Sequence, residues 1–263
     1  MRRISKLLLA GPLVAALLVG CSLLPEKIDE TQGWSVQQLY SEAKDSMSSG
    51  NYKTAIEYLD KIQARYPFGR YAQQAQIDTI YCQYKDNEPD AAIAAADRFI
   101  KANPRHPYVD YAYYMKGLAN FNRSNSLLER LAPTDRDKTD TNTARQAYSD
   151  FAELARKFPD SKYAEDARQR MLFLHNSLAA YEVNVADFYM RRGAYVAALN
   201  RATYVLKTYS RTPAAEDALS IMTQAYIKMD MPQLANDSLR VLEHNYPQSP
   251  ELPKLNALLK GTG

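Results

Sequence analysis

The chain has 263 residues, 46% of them hydrophobic, and a formal charge of +3 at pH 7. Arg2, Arg3 and Lys6 supply that whole excess, so the chain from Cys21 onward is formally neutral. A strongly basic nucleic-acid binder is thereby excluded, and with two cysteines so is a disulfide-built scaffold.

Residues 1–20 read as a secretory signal peptide. Arg2, Arg3 and Lys6 form a positive start, and Leu7 to Gly20 is an apolar run of 14 residues. A transmembrane helix needs about 20. The run ends in Leu18-Val19-Gly20-Cys21, which resembles a bacterial lipobox, so Cys21 is the expected lipid attachment residue. Ser22, rather than Asp, follows it. By the sorting rule of many Gram-negative bacteria this sends the protein to the outer membrane, with its domain on the periplasmic side and the lipid as membrane anchor. Several acyl chains on one Cys hold stably, because each buried methylene contributes about 0.8 kcal/mol. Residues 21–33 are polar and contain Pro25 and Gly33, which predicts a flexible tether. With Cys21 modified, Cys82 has no disulfide partner within the chain, and Tyr81-Cys82-Gln83 reads as a small core position.

From residue 34 the chain repeats. RYPFGRYAQQA (65–75) aligns with ANPRHPYVDYA (102–112), KFPDSKYAEDA (157–167), TYSRTPAAEDA (208–218) and NYPQSPELPKL (245–255). The third position is Pro67, Pro104, Pro159, Ser210 and Pro247. Twelve residues before it lie Ala55, Ala92, Ala147, Ala198 and Ala235. Eight before lie Leu59, Ala96, Phe151, Ala202 and Leu239, and five before lie Ile62, Phe99, Leu154, Val205 and Leu242. The offsets i, i+4 and i+7 are one stripe of an α-helix. Ahead of four of these helices stand Gly50-Asn51, Glu88-Pro89, Arg192-Gly193 and Met231-Pro232, which separate them from an earlier helix rich in Tyr, Ala and Met. Thr212-Pro213 and Ser249-Pro250 read as an N-cap followed by Pro at the first helical position.

The unit is therefore helix A, turn, helix B, joint. The third positions are 37 residues apart at both ends of the series, but 55 and 51 apart in the middle. The first excess predicts an inserted loop over 123–142. The second falls between Ser161 and Arg192, where no Pro or Gly interrupts, and predicts a helix A lengthened by about four turns. The expected fold is all-α: a tetratricopeptide-repeat α-solenoid of about five helix pairs, with a long helix in the fourth repeat. Residues 34–122 hold repeats 1 and 2 and the first helix of repeat 3, residues 143–250 the C-terminal repeats, and residues 251–263 a tail or cap.

No catalytic signature is present. His106, His175 and His244 have no His partner at helical spacing, and the sequence contains no phosphate loop, nucleophile elbow or Cys-x-x-Cys pair. The chain is read as a non-enzyme with no metal and no cofactor. The 20 tyrosines, many of them on A helices, predict a partly aromatic groove alongside inter-repeat packing.

Several stretches resemble one family closely. They are the lipobox, Gly50-Asn51-Tyr52-Lys53, RYPFGRYAQQAQID (65–78), DRFIKANPRHPYVDYAYYMKGL (97–118), DRDKTDTNTARQAYSDF (135–151) and YEVNVADFYMRRGAYVAALNR (181–201). Together they resemble the BamD (ComL) family, the lipoprotein subunits of the outer-membrane β-barrel assembly machinery. The resemblance implies a scaffold that helps fold and insert β-barrel proteins. It implies binding to a BamA-type barrel subunit through its POTRA domains, to accessory lipoproteins such as BamC and BamE, and to unfolded outer-membrane proteins. It places the client-peptide site at Lys53, Tyr66, Gly69 and Tyr71, and a partner-subunit contact at Arg201. Lys53 stands where relatives can carry Arg, which keeps the charge and gives up bidentate geometry. Arg70 stands where some relatives have Pro. A second reading is another outer-membrane tetratricopeptide lipoprotein, such as a pilus-assembly pilotin, but RYPFG and the long middle helix disfavour it.

Overall fold

The computed structural model describes residues 29–129 and 141–261, and side chains except those of 124–129. Cys21 and the signal peptide lie outside the described residues. Among those residues the chain forms helices only. In order they are α1 (Val36–Ser48), α2 (Tyr52–Arg65), α3 (Arg70–Lys85), α4 (Pro89–Ala102), α5 (Val109–Glu129), α6 (Asn142–Lys157), α7 (Ala164–Arg191), α8 (Tyr195–Thr208), α9 (Ala214–Lys228), α10 (Pro232–Asn245) and α11 (Leu252–Lys260). Odd-numbered helices through α9 are the A helices and even-numbered ones the B helices; α11 caps the end.

The repeat stripes are the core. Ala55, Leu59 and Ile62 on α2 are buried, and so are the matching triplets on α4, α6, α8 and α10. A small residue at the first stripe position lets neighbouring helices approach. Cys82 is fully buried among Leu39, Leu59 and Ala75, as its sequence context predicts, and burial pushes its thiol up to about 12.

The two kinds of connection are each built from one local device. At the A-to-B turns Gly50, Asn87, Gly193 and Asp230 take positive φ. The next N–H reaches back five residues: Asn51 to Ser46, Glu88 to Gln83, Ala194 to Tyr189 and Met231 to Tyr226, at 2.8–3.0 Å. These are Schellman closures, which place a left-handed residue just past the helix end. At the B-to-A joints Tyr66, Asn103, Phe158, Tyr209 and Tyr246 leave the helix with φ between −125° and −134°. Four of them precede Pro and have ψ of 55–64°, whereas Tyr209 precedes Ser and has ψ of 31°. Proline pushes its predecessor out of the helical region.

Successive helices pack side by side, A helices also touch the next A helix at α1–α3, α3–α5 and α7–α9, and α9 touches the cap α11. Between α5 and α7 side chains make the bridge. Tyr114 stacks on Tyr163 at 4.7 Å and its hydroxyl donates to Asp166 at 2.7 Å, and Phe121 meets Phe173 edge-on. Many of the tyrosines expected to line a groove are therefore inter-repeat mortar.

Four expectations need correction. Helix α5 continues to Glu129, well into the segment expected as loop; Leu127-Leu128-Glu129 are good helix formers, and Pro133 is the first proline after it. The tether does not stay free to residue 33. Asp29 pairs with Lys61 and Arg65, and Thr31 is buried. Thr212 does not cap α9: its hydroxyl donates back to the Tyr209 carbonyl at 2.8 Å, and Pro213 itself occupies the N-cap position. Ser249 likewise stands outside α11, whose N-cap is Glu251. α11 occupies residues 252–260 of the expected tail.

Candidate functional site

Sequence repetition makes the joint between α2 and α3 the odd one out. In the other four joints an N–H four residues after the last residue of the B helix closes a tight turn, as in His106 to Asn103 and Ser161 to Phe158. Here Gly69 stands at that place with φ 92° and ψ −177° and serves as the N-cap of α3. That backbone region is open essentially to glycine alone. The consequence is an early start. α3 begins three residues after Pro67, whereas α5, α7 and α11 begin five after their prolines. Phe68 is left at the tip with 90% of its surface exposed.

Around this tip the aromatic side chains are ordered from both sides. Tyr71 lies in the first turn of α3 and meets Tyr40 of α1 edge-on at 5.4 Å. The Tyr40 hydroxyl donates to the buried Asp78 at 3.0 Å. Arg70 covers the Tyr71 ring at 5.0 Å from guanidinium to centroid. Tyr66 is 37% exposed, and its hydroxyl donates to the Trp34 carbonyl at 3.1 Å. Trp34 in turn stacks on Tyr58. Below them Arg65 Nη1 donates to the Thr31 carbonyl at 2.5 Å. The Thr31 hydroxyl and Lys61 hydrogen bonds, with the Arg65 charge, hold the Asp29 carboxyl well below the usual carboxylate range. Residues 29–34 thus form a strap against the end of α2.

Of the expected client-site residues, Tyr66, Gly69 and Tyr71 come together at this joint. Lys53 does not. It is exposed in the first turn of α2, while Tyr66 follows the last turn of that 14-residue helix. At 1.5 Å per residue the two are about 20 Å apart along the axis. The resemblance grouped them; the helix separates them.

Arg201, the expected partner contact, is engaged within the chain. Its Nη1 donates to Glu182 Oε2 at 2.9 Å, and its side chain remains 45% exposed. Glu182 lies on the buried stripe of α7 with Leu174, Leu178 and Ala186, and only 2% of it is exposed. Its other oxygen accepts from Arg145 of α6 at 3.2 Å. Arg145 also donates to the Tyr204 hydroxyl at 2.9 Å and to the Tyr209 hydroxyl at 3.2 Å. One buried carboxylate therefore ties α6, α7 and α8 through two guanidinium groups, leaving a positive excess. A cleft of about 410 Å³ beside it is lined by Tyr189, Ala197, Asn200, Arg201 and Tyr204. Sequence reading missed Glu182 and Arg145. The available signal was an acid at an apolar-stripe position of a long helix.

Comparison with known proteins places the chain. The family model described as YfiO, outer membrane lipoprotein, matches residues 33–242. The outer membrane protein assembly factor BamD of Neisseria meningitidis serogroup B is 48% identical over 222 residues, covering 84% of this chain and 83% of that protein. The protein of the same name from Vibrio cholerae serotype O1 is 38% identical over 237 residues, covering 90% of this chain and 97% of that one. A model match across most of the solenoid, with identities this high along nearly full-length relatives, means that the chain belongs to the BamD family of outer-membrane lipoproteins.

Proposed function

We propose that the chain is a non-enzymatic scaffold in the assembly of outer-membrane proteins. The observation that carries this is its 48% identity, over 84% of its length, to a protein named as an outer membrane protein assembly factor. A helix-pair solenoid suits the task, because stacked repeats offer extended surfaces for more than one partner at once.

In this reading the two ends of the solenoid have separate work. The Tyr66–Gly69–Tyr71 joint receives an unfolded client segment: aromatic side chains with polar tips give contact area at low entropic cost. Lys53 makes at most a separate, charge-only contact from the far end of α2. At the other end Arg201, beside its cleft, meets an acidic group on a BamA-type barrel subunit through that subunit's POTRA domains. Accessory lipoproteins such as BamC and BamE join where the organism has them. Acylated Cys21 anchors the domain to the outer membrane on its periplasmic side.

Isolation of tagged protein from native membranes tests the scaffold role. A large β-barrel subunit should accompany it in stoichiometric amount; its absence under gentle extraction rules the role out. Conversion of Cys21 to Ala should release the domain into the periplasmic fraction, whereas full retention would show that protein contacts suffice.

A further inference from the structure

Phe68 is the most exposed large apolar side chain among the described residues, at 90%. The client reading does not use it, since Tyr71 turns toward Tyr40 of α1 and Tyr66 toward Trp34 of the strap. A phenylalanine held out beside a glycine-only backbone turn needs a reason.

Its surroundings supply one. Residues 66–70 and 101–108, the first two joints, contain Arg70, Lys101 and Arg105 and no carboxylate. All three cations are exposed, and Tyr108 of the second joint is 53% exposed. Lys101 suits a helix C-terminus on dipole grounds, and Arg70 covers the Tyr71 ring; Arg105 and Phe68 have no such local cause. The turn at the opposite end of repeat 2 reads Asp86-Asn87-Glu88-Pro89-Asp90, three acids in five residues. The repeat is thus basic and aromatic at one end and acidic at the other.

The strap adds direction. Asp29 is pinned by Lys61 and Arg65 at the same end of α2 as Phe68. From Asp29 back to Cys21 is eight residue steps, a reach of at most about 28 Å when fully extended. We infer that the first two joints rest on a lipid surface bearing anionic headgroups, with Phe68 inserted at the headgroup boundary and Arg70, Lys101 and Arg105 against the phosphates. This rests on Cys21 being the acylated residue for its direction, and on the joint itself for its chemistry. Interfacial binding of this kind combines a buried apolar side chain with basic residues.

The test uses the full mature chain with Cys21→Ser, so that no acyl chain contributes. Vesicles of phosphatidylglycerol and phosphatidylethanolamine (1:3) are compared with phosphatidylcholine alone. Sedimentation with the anionic vesicles is expected, with quenching of Trp34, the single tryptophan, by doxyl-labelled lipid. Phe68→Ala should lower partitioning about tenfold, the loss of one interfacial aromatic. Arg105→Glu should lower it too, and 0.5 M salt should weaken the wild type. Val196→Ser, an exposed apolar site on α8, should change nothing. No sedimentation with the anionic vesicles overturns the inference, as does binding indifferent to Phe68→Ala and Arg105→Glu. It is equally overturned if Phe68→Ala lowers capture of a barrel-protein C-terminal peptide while vesicle binding is unchanged. Mass measurement of the Cys21 adduct in native protein tests the acylation reading by itself.

Discussion

The Tyr66 hydroxyl donates to the Trp34 carbonyl at 3.1 Å, across 32 residues of sequence. This bond couples the strap before α1 to the joint after α2. Asp29, Thr31, Lys61 and Arg65 reinforce it one layer away. The segment leading into α1 is thereby fixed to the repeat that carries the candidate client site, and Trp34 reports on both.

The strap should hold through mildly acidic pH. The Asp29 carboxyl is held below its ordinary value, first by the Thr31 hydroxyl and then by Lys61. A lowered folded-state pKa gives stabilisation that is complete above the unfolded value of about 3.9 and is lost as pH falls through the folded one. Trp34 emission should therefore stay constant from about pH 8 to 5 and change only below about pH 4. Asp29→Asn should show the low-pH emission at neutral pH. An emission change centred near pH 6 would show that another group holds the strap.

Gly69→Ala should destabilise by about 1–3 kcal/mol, the cost of an L-residue in a glycine-only backbone region. Nothing lies within 4 Å of the added Cβ, so the loss is conformational and not steric crowding. Phe68→Ala beside it should stay within about 0.5 kcal/mol, because Phe68 packs on little. Urea unfolding of the two variants checks the contrast; equal midpoints would show that the joint relaxes freely.

Glu182 should matter more to the fold than Arg201. Glu182→Leu leaves the half-exposed Arg145 and Arg201 to find water, whereas Glu182→Ala also opens a cavity in the α7 stripe. We expect about 3–5 kcal/mol lost in the Ala variant and clearly less in the Leu variant. Arg201→Ala keeps the Arg145 bond and should lose about 1 kcal/mol or less. Thermal unfolding ranks the three. The ranking also makes Arg201→Ala a cleaner probe of partner binding than Arg201→Glu, which would set two carboxylates together.

The B-helix stripes were legible because repetition exposes them five times over, and every stripe residue is buried. The 28-residue α7 was legible from the absence of Pro and Gly. Helix starts were less so. Thr212 and Ser249 have cap chemistry, but in these joints a tight turn claims their backbone first, and Pro213 and Glu251 become the caps. Glu182 was invisible for another reason. Its meaning depends on Arg145 and Arg201, which lie 37 and 19 residues away and meet it only after three helices pack. Lys53 and Tyr66 show the reverse: a resemblance joined two residues that one helix length of arithmetic sets apart.

The most direct test is photo-crosslinking in native membranes from a probe placed at Tyr71, with a second probe at Lys53 and a third at Asn200 in the Arg201 cleft. The Tyr71 probe should capture newly exported outer-membrane proteins through their C-terminal segments. The Asn200 probe should capture the barrel subunit, and the Lys53 probe should capture clients weakly or not at all. Strong client capture at Lys53 with none at Tyr71 would contradict the assignment of the joint as the receiving site. Capture of neither client nor barrel subunit at any position would contradict the scaffold role itself.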